Sequence, residues 1–574
     1  MICKEKNKYG VITVMISLML TGILSLGTMV IEAGRLQGAR TQLDDANLSA
    51  GTSMIASYDT TLYERYGLLA IDNELFNIGR FKEYLEFNSD RGTGYKGNNI
   101  STFYTVKTVE IEGFYNLTYP SVLKRQLTSR AKYHIIPQDY SLNYYNMDHF
   151  ISDYQNKANY ISNMLNTVAS GKGTQGALKD VPADMQSALN NLYATFSKIK
   201  KYDESYNVTI NSSDVSLLPS STGTVSKSIP EDDVEAINDA VKDANTVLGT
   251  NGSLLASNKG AAYNEIDVTL NTSFASNVIN DLSNLSQLPS KAVKITSDCR
   301  TLVQGINAAL NMLNSDREGT LLLNSYIAGY FPNKNFTVEG YMGSAKGKAV
   351  TGVSNSAFAG ACVEYAFSGN SSETNNQKSA YDYIIATRLV SNLYSTIMNS
   401  SSFNESNACS VAAHIAWAYY ETCVDAELLF RYNAIVPLSK ANMILPINSV
   451  SSVNSAFASK DFVSGMKSLG IFNGEKFTVK GYDNTNYRDA LAFALWFVPN
   501  SDKMLRVADL IQLEMRYRQQ YVEKSSATFL LSEQNTFCRA KCVGNLNSIL
   551  PVISLGNSEN IKGTQIQSIK YVGY

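Results

Sequence analysis

Residues 11–31, VITVMISLMLTGILSLGTMVI, contain no charged side chain. As a helix rising about 1.5 Å per residue, such a run covers a hydrocarbon core of roughly 30 Å. Lys4, Lys6 and Lys8 precede it. The positive-inside bias therefore predicts a cytoplasmic N-terminus over 1–10, a single transmembrane helix over 11–31 and an exported remainder. Arg35 and Arg40 follow closely and reduce the charge asymmetry. A secretory signal has a shorter apolar region, about 7–15 residues, and a small-residue cleavage site. Here the run leads into LQGARTQLDDANLSAGTSMIASY, which has no proline. Leu36, Ala39, Leu43, Ala46, Ala50 and Ile55 recur near a helical period, which predicts one helix from about residue 10 to beyond residue 60, with 32–72 as a stalk. A plain signal-anchor followed by a separate helix is the simpler alternative.

The 574-residue chain is too long for one typical core, so two or three exported subdomains are expected, divided into a middle region over 73–330 and a C-terminal region over 331–574. Charged residues make up 17% and the net charge is −2, which argues against a nucleic-acid surface or a polybasic membrane patch. Cys3 falls on the predicted cytoplasmic side. Cys299, Cys362, Cys409, Cys423, Cys538 and Cys542 would be exported, where disulfides are permitted. Six cysteines allow 15 pairings. A Cys538–Cys542 bridge requires that the backbone between them not be a regular helix. Buried thiols are the other reading, and both stay open.

Beyond Asp72, residues 100–120 alternate apolar and polar positions and are rich in Val, Ile, Tyr and Thr, which predicts a strand. A helical tract should follow from near 120 through 160–169, then a break at ASGKGTQG. Residues 203–231 and 249–276 read as polar loops around helices near 180–200, 232–247 and 275–313. FTVEGY at 336–341 returns as FTVKGY at 477–482, with VEIEGFY at 109–115 a looser cousin, consistent with strands that turn at a glycine. Residues 381–398 and 411–432 predict helices with apolar faces. A helix over 487–498 should end at Pro499, and the next should start with Asn500 or Ser501 as N-cap and bury Met504, Ala508, Ile511 and Met515 on one side. Strand-like runs near 525–532 and 563–573 close the chain. Without a βαβ rhythm, a doubly wound parallel sheet is not expected; the class is α+β.

Several of these segments carry a resemblance. Gly10 before the apolar run, Glu32-Ala33 with Arg35 at its end, and LYERYGLLAID at 62–72 resemble the start of a large bacterial family of unknown function. Its opening helix is similar to TadE/TadG proteins of the tight-adherence (Flp-type) pilus machinery. VEYAFSGNSSETN (363–375), AELLFRYNAIVPLSK (426–440) and MLRVADLIQLEM (504–515) resemble the same family, whereas 165–330 carries little of it. The resemblance implies a location and a system, not a reaction. One departure matters: pilins cut by prepilin peptidase carry glutamate five residues after the processing glycine, and here Met15 stands there. A membrane-retained, pseudopilin-like or minor role therefore fits better than cleavage after Gly10 and packing into a pilus shaft.

Chemical motifs are sparse. His414, Glu421 and Asp425 fall seven and four residues apart on one predicted helical face, with Cys409 and Cys423 near. The tight His or Cys pairs of zinc sites are missing, so a helix–helix hydrogen-bond contact is the stronger reading. GSAKGKA (343–349) and SGKGT (170–174) lack phosphate-loop spacing. Ser325 stands where a calcium loop over 314–325 would need a bidentate glutamate. DLSNLS (281–286) misses the spacing of a metal-dependent adhesion motif, and no Gly-x-Ser-x-Gly elbow is present.

The composite expectation is a non-enzymatic, cofactor-free, single-pass protein of the bacterial cell membrane: a long N-terminal transmembrane and stalk helix, then a mixed helical and antiparallel-strand extracytoplasmic head. Its partners would be the lipid bilayer and other pilus-assembly or pilin-like membrane helices, in homo- or hetero-oligomers, without nucleic acid. Val11, Ile16, Leu20, Gly22, Gly27 and Ile31 would form the helix- and lipid-facing surface, the glycines permitting close approach. Glu32 and Arg35 would pair within or between helices, or simply lie in the lipid interface. The alternative is a membrane-tethered adhesin with no pilus role; a tethered hydrolase would need a convergent cleft of carboxylates.

Overall fold

A computed structural model describes residues 6–89, 104–133, 144–168, 170, 176–190, 285–312, 316–335, 361–369, 373–401, 403–432, 436–437, 484–519, 529–546 and 565–574. The expected loops at 203–231 and 249–276, the helix at 232–247, the FTVEGY and FTVKGY repeats and residues 521–528 lie outside these. The chain is a mixture of helix and antiparallel sheet with one long apolar N-terminal helix. It forms two compact units, Met1–Val122 with Leu530–Tyr574, and Leu123–Phe529. The first unit is discontinuous in sequence because strands from residue 534 onward join the sheet begun by residues 71–116.

In the first unit, α1 (Lys6–Ile55) is a single 50-residue helix. It stops short of the expected residue 60. Ala56 and Ser57 close its last turn onto Thr52 and Met54. Asp59 then caps α2 (Thr60–Tyr66), its carboxylate accepting from Leu62 N at 2.9 Å. Gly67 ends α2 in the left-handed region, φ +68°, with its N–H on Tyr63 O, a conformation that favours glycine. The LYERYGLLAID stretch is thus a capped helical turn, followed by buried Leu68, Ala70 and Ile71.

The sheet is antiparallel and centred on β5 (Gln534–Leu546). β2 (Tyr104–Asn116) lies along one edge, with a register shift between Val106 and Thr108. β6 (Gln565–Gly573) and the two-residue β1 (Ile71–Asp72) share the other edge. Strand β5 replaces the expectation of strand-like structure near 525–532, where the described part, Leu531–Glu533, is a 3-10 turn. On one sheet face lie α1 and α3 (Ile78–Ser89), burying Ala39, Leu43, Ala46, Ala50, Phe81 and Leu85 against Tyr104, Ala540, Cys542 and Ile566. The opposite face carries cross-strand pairs, Glu110 with Lys541 at 2.9 Å and Glu112 with Arg539 at 3.4 Å.

Among its described residues the second unit is helical apart from the short β3 (Val436–Pro437) and β4 (Asn484–Thr485) pair. In chain order its helices are α4 (Pro120–Tyr133, from Leu123 on), α5 (Tyr144–Thr167), α6 (Leu288–Met312), α7 (Arg317–Tyr330) and α8 (Cys362–Ser368). They continue as α9 (Glu373–Met398), α10 (Ala408–Tyr432), α11 (Tyr487–Ala494) and α12 (Asn500–Tyr517), with residues 183–190 also helical. Helix α12 begins one residue earlier than expected: Asn500 is its first residue and Pro499 precedes it. Met504, Ala508, Ile511 and Met515 are buried together as expected.

Helix α10 departs from the amphipathic expectation. Every residue from Asn407 to Ala426 is buried, so α10 is the central helix of its unit rather than a one-sided surface helix. Its polar side chains find partners inside. Asp425 meets Arg388 and Thr422 meets Asn392, so α9 and α10 run antiparallel as a helical hairpin.

Candidate functional site

Two features separate this chain from an ordinary packed protein: the bare half of α1 and the polar interior of the helical unit. Each Val, Ile, Leu and Met from Val11 to Ile31 is at least 53% exposed. Successive helical residues point 100° apart, so consecutive residues such as Leu18, Met19 and Leu20 surround the axis with apolar surface. Three hydroxyls in this half are satisfied locally. Ser17 donates to Thr13 O at 2.9 Å, Thr21 to Ser17 O at 2.7 Å and Thr28 to Ser25 O at 2.8 Å. Satisfaction within the helix is what a segment without access to water requires. A Cβ on Gly22 or Gly27 would meet nothing within 4 Å, so neither position is packed. Glu32 and Arg35 form an ion pair at 2.8 Å within the helix. This is the one helix among the described residues that is long and apolar enough to cross a membrane.

Eight residues past Ile31 the same helix enters a core. Asn47 donates to Ala540 O at 3.1 Å and to Ser568 Oγ at 3.0 Å, and its own oxygen accepts from the Cys542 thiol at 3.2 Å. Ser568 in turn donates to Asp44 at 2.5 Å, and Lys570 lies 3.4 Å from the same carboxylate. A Cβ on Gly51 would stand 3.0 Å from Val572, so the helix approaches β6 closely there. None of this polar seam was anticipated. The one available signal was Asn47 itself, a polar residue in phase with the apolar stripe between Leu43 and Ala50.

In the helical unit, Arg388 gives Asp425 a buried ion pair, 2.5 Å from Nη2 and 3.2 Å from Nε, and Asn392 adds a third donor at 2.9 Å. Arg488 donates to the α7 carbonyls Ala328 O and Gly329 O at 2.6 and 2.8 Å. Lys503 donates to Asn324 at 2.8 Å and to Leu495 O at 3.0 Å. These fasten helix ends inside the core, where an unmatched polar group costs about 1–3 kcal/mol.

The expected His414–Glu421–Asp425 cluster does not converge on a common point. His414 uses Nδ1 on Ser410 O and Nε2 on Ser400 Oγ, both at 2.8 Å, while Asp425 is taken by Arg388 and Asn392. Burial lowers the His414 pKa. Cys299, Cys362, Cys409, Cys423, Cys538 and Cys542 are all buried as thiols, and no disulfide links the described residues. Cys538 and Cys542 sit four residues apart on strand β5, about 13 Å along it, beyond the reach of a bridge. Burial pushes Cys299 and Cys542 up to about 12 and Cys538 to about 11, which makes them unreactive thiols.

A family model described as a family of unknown function, DUF5702, matches residues 256–527. That segment, which lies within the helical unit, is similar to this family. The match does not include the N-terminal helix. No curated protein and no solved structure matches the chain.

Proposed function

We propose that this protein is a single-pass envelope protein, anchored by Val11–Ile31 with its N-terminus cytoplasmic and both folded units exported. We further propose that it serves, without catalysis, as a pseudopilin-like or minor component of a tight-adherence pilus or related surface assembly. The observation that carries the anchor is the change of surface along one unbroken helix. Apolar side chains are bare on all sides to Ile31, and burial against a sheet begins at Ala39. The bare half measures about 30 Å and the intervening residues 32–38 about 10 Å, which suit the hydrocarbon core and the headgroup layer.

The pilus connection draws its support from the resemblance of residues 10–35 and 62–72. In that role the bare half packs laterally against other apolar helices, with unpacked Gly22 and Gly27 open to close approach. Met15, in the place of the processing glutamate, favours a retained pseudopilin-like or minor component over a cleaved shaft pilin; the second reading is a tethered adhesin that works apart from any pilus.

Fractionation with protease added to intact cells tests the anchor. The full-length product is expected in the membrane fraction with both units accessible, and a protected, soluble product would refute it. A photo-crosslinking side chain at Leu20 separates the two roles. Adducts with pilin-like helices support the assembly reading, and an un-crosslinked protein supports the adhesin.

A further inference from the structure

Three pieces of the helical unit meet at one carboxyl group. Glu364, on α8, is fully buried. Its Oε1 accepts from the main-chain N–H of Lys334, just past α7, at 3.0 Å, and from the hydroxyl of Tyr487, the first residue of α11, at 2.8 Å. Its Oε2 is buried with no hydrogen-bond partner among the described residues. Such a group is costly as an anion, because a buried carboxylate needs donors on both oxygens. Few charges stand near to offset this. The Lys334 ammonium lies over the Phe430 ring, 3.4 Å from its centroid, and among the described residues is the one charged group acting on the carboxyl. On α12, Arg506 donates to Ala366 O and Phe367 O, and Asp509 accepts from Tyr365 at 3.0 Å. On α9, Tyr383 packs on Phe367, and on α11 Arg488 is turned to the α7 carbonyls.

We infer that Glu364 is a proton-dependent latch: protonated, it ties α8 to α11 and to the end of α7, and its ionisation releases that junction. Burial raises the Glu364 pKa, in keeping with this geometry. The sign follows from linkage. The closed junction holds a proton that the opened one, with an ordinary carboxyl of about 4.3, gives up. Opening is therefore favoured as pH rises, by about tenfold per unit, from the ordinary carboxylate range up to the raised value. The latch is independent of the membrane role proposed above.

Hydrogen exchange of the full-length protein in detergent, corrected for intrinsic rates, tests it across pH 5–9. Peptides covering 361–369 and 484–494 should lose protection together as pH rises. Glu364→Gln, which mimics the neutral acid, should hold both peptides closed at every pH. Tyr487→Phe removes a donor that bonds the anion more strongly than the acid, so protection should be lower throughout and its loss should continue to a higher pH before levelling off, an extension that a merely structural tyrosine would not give. An unchanged pH profile in Glu364→Gln would overturn the latch. If that variant does not fold, an unshifted levelling-off pH in Tyr487→Phe would do the same.

Discussion

Asn47 and Ser568 are 521 residues apart in the chain, yet their side chains meet at 3.0 Å between α1 and β6. Asn47 is the only described α1 side chain bonded to both β5 and β6, through Ala540 O and Ser568 Oγ. It fixes where along the sheet the helix rests. Asn47→Ala leaves Ser568 and the Cys542 thiol without that partner inside the core. A loss of about 1–3 kcal/mol is expected. Hydrogen exchange over 565–574 should read it as faster opening, with the helical unit unaffected.

The buried Arg388–Asp425 pair gives a second expectation. Asp425→Asn strips the countercharge from a guanidinium whose side chain is 5% exposed, and should cost about 3–5 kcal/mol. Replacing both residues with apolar ones of similar volume should recover most of that loss. Both tryptophans, Trp417 and Trp496, are buried in this unit, so their fluorescence during urea unfolding reports its midpoint directly.

His414 supplies an acid limb. Burial holds its pKa below the ordinary 6.5, so as pH falls the unfolded chain takes the proton first. Its contribution is complete above about pH 6.5 and declines as pH drops toward the depressed value. The urea midpoint of the wild type should therefore fall more steeply between pH 7.5 and 5 than that of His414→Gln. Parallel slopes would remove His414 from the acid response.

The thiols give a third kind of test. Cys299, Cys362, Cys409, Cys423, Cys538 and Cys542 should all react with an alkylating reagent in unreduced, unfolded protein, and resist it while folded. A mass showing any of the six protected after unfolding without reductant would contradict the thiol state.

Much of the helical architecture was legible because it depends on local pattern. The Leu36-to-Ile55 stripe, the strand at 104–116 and the Met504-to-Met515 face follow the periods of helix and sheet. Strand β5 was not legible. QNTFCRAKCVGNL carries Arg539 and Lys541 on the face that pairs with Glu110 and Glu112, so its alternation becomes clear only beside β2. Helix α10 misled for the opposite reason. His414, Glu421 and Asp425 read as a helix–helix hydrogen-bond contact, which Asp425 makes with Arg388 and Asn392, but the apolar-face pattern did not show that the whole helix is buried, and no periodicity encodes the partners. Glu364 was equally hidden, since Lys334 and Tyr487 are distant in sequence.

The strands that cover the stalk carry a consequence for biogenesis. A ribosome makes the Ala39–Ile55 face long before Gln534–Gly573 exists to shield it. Throughout synthesis that surface lacks its sheet cover, with only α3 and β2 made early, and a nascent chain interrupted anywhere in between would keep it so. Completion of the polypeptide is thus the event that quenches its stickiness, and an unfinished copy advertises itself to quality-control proteases.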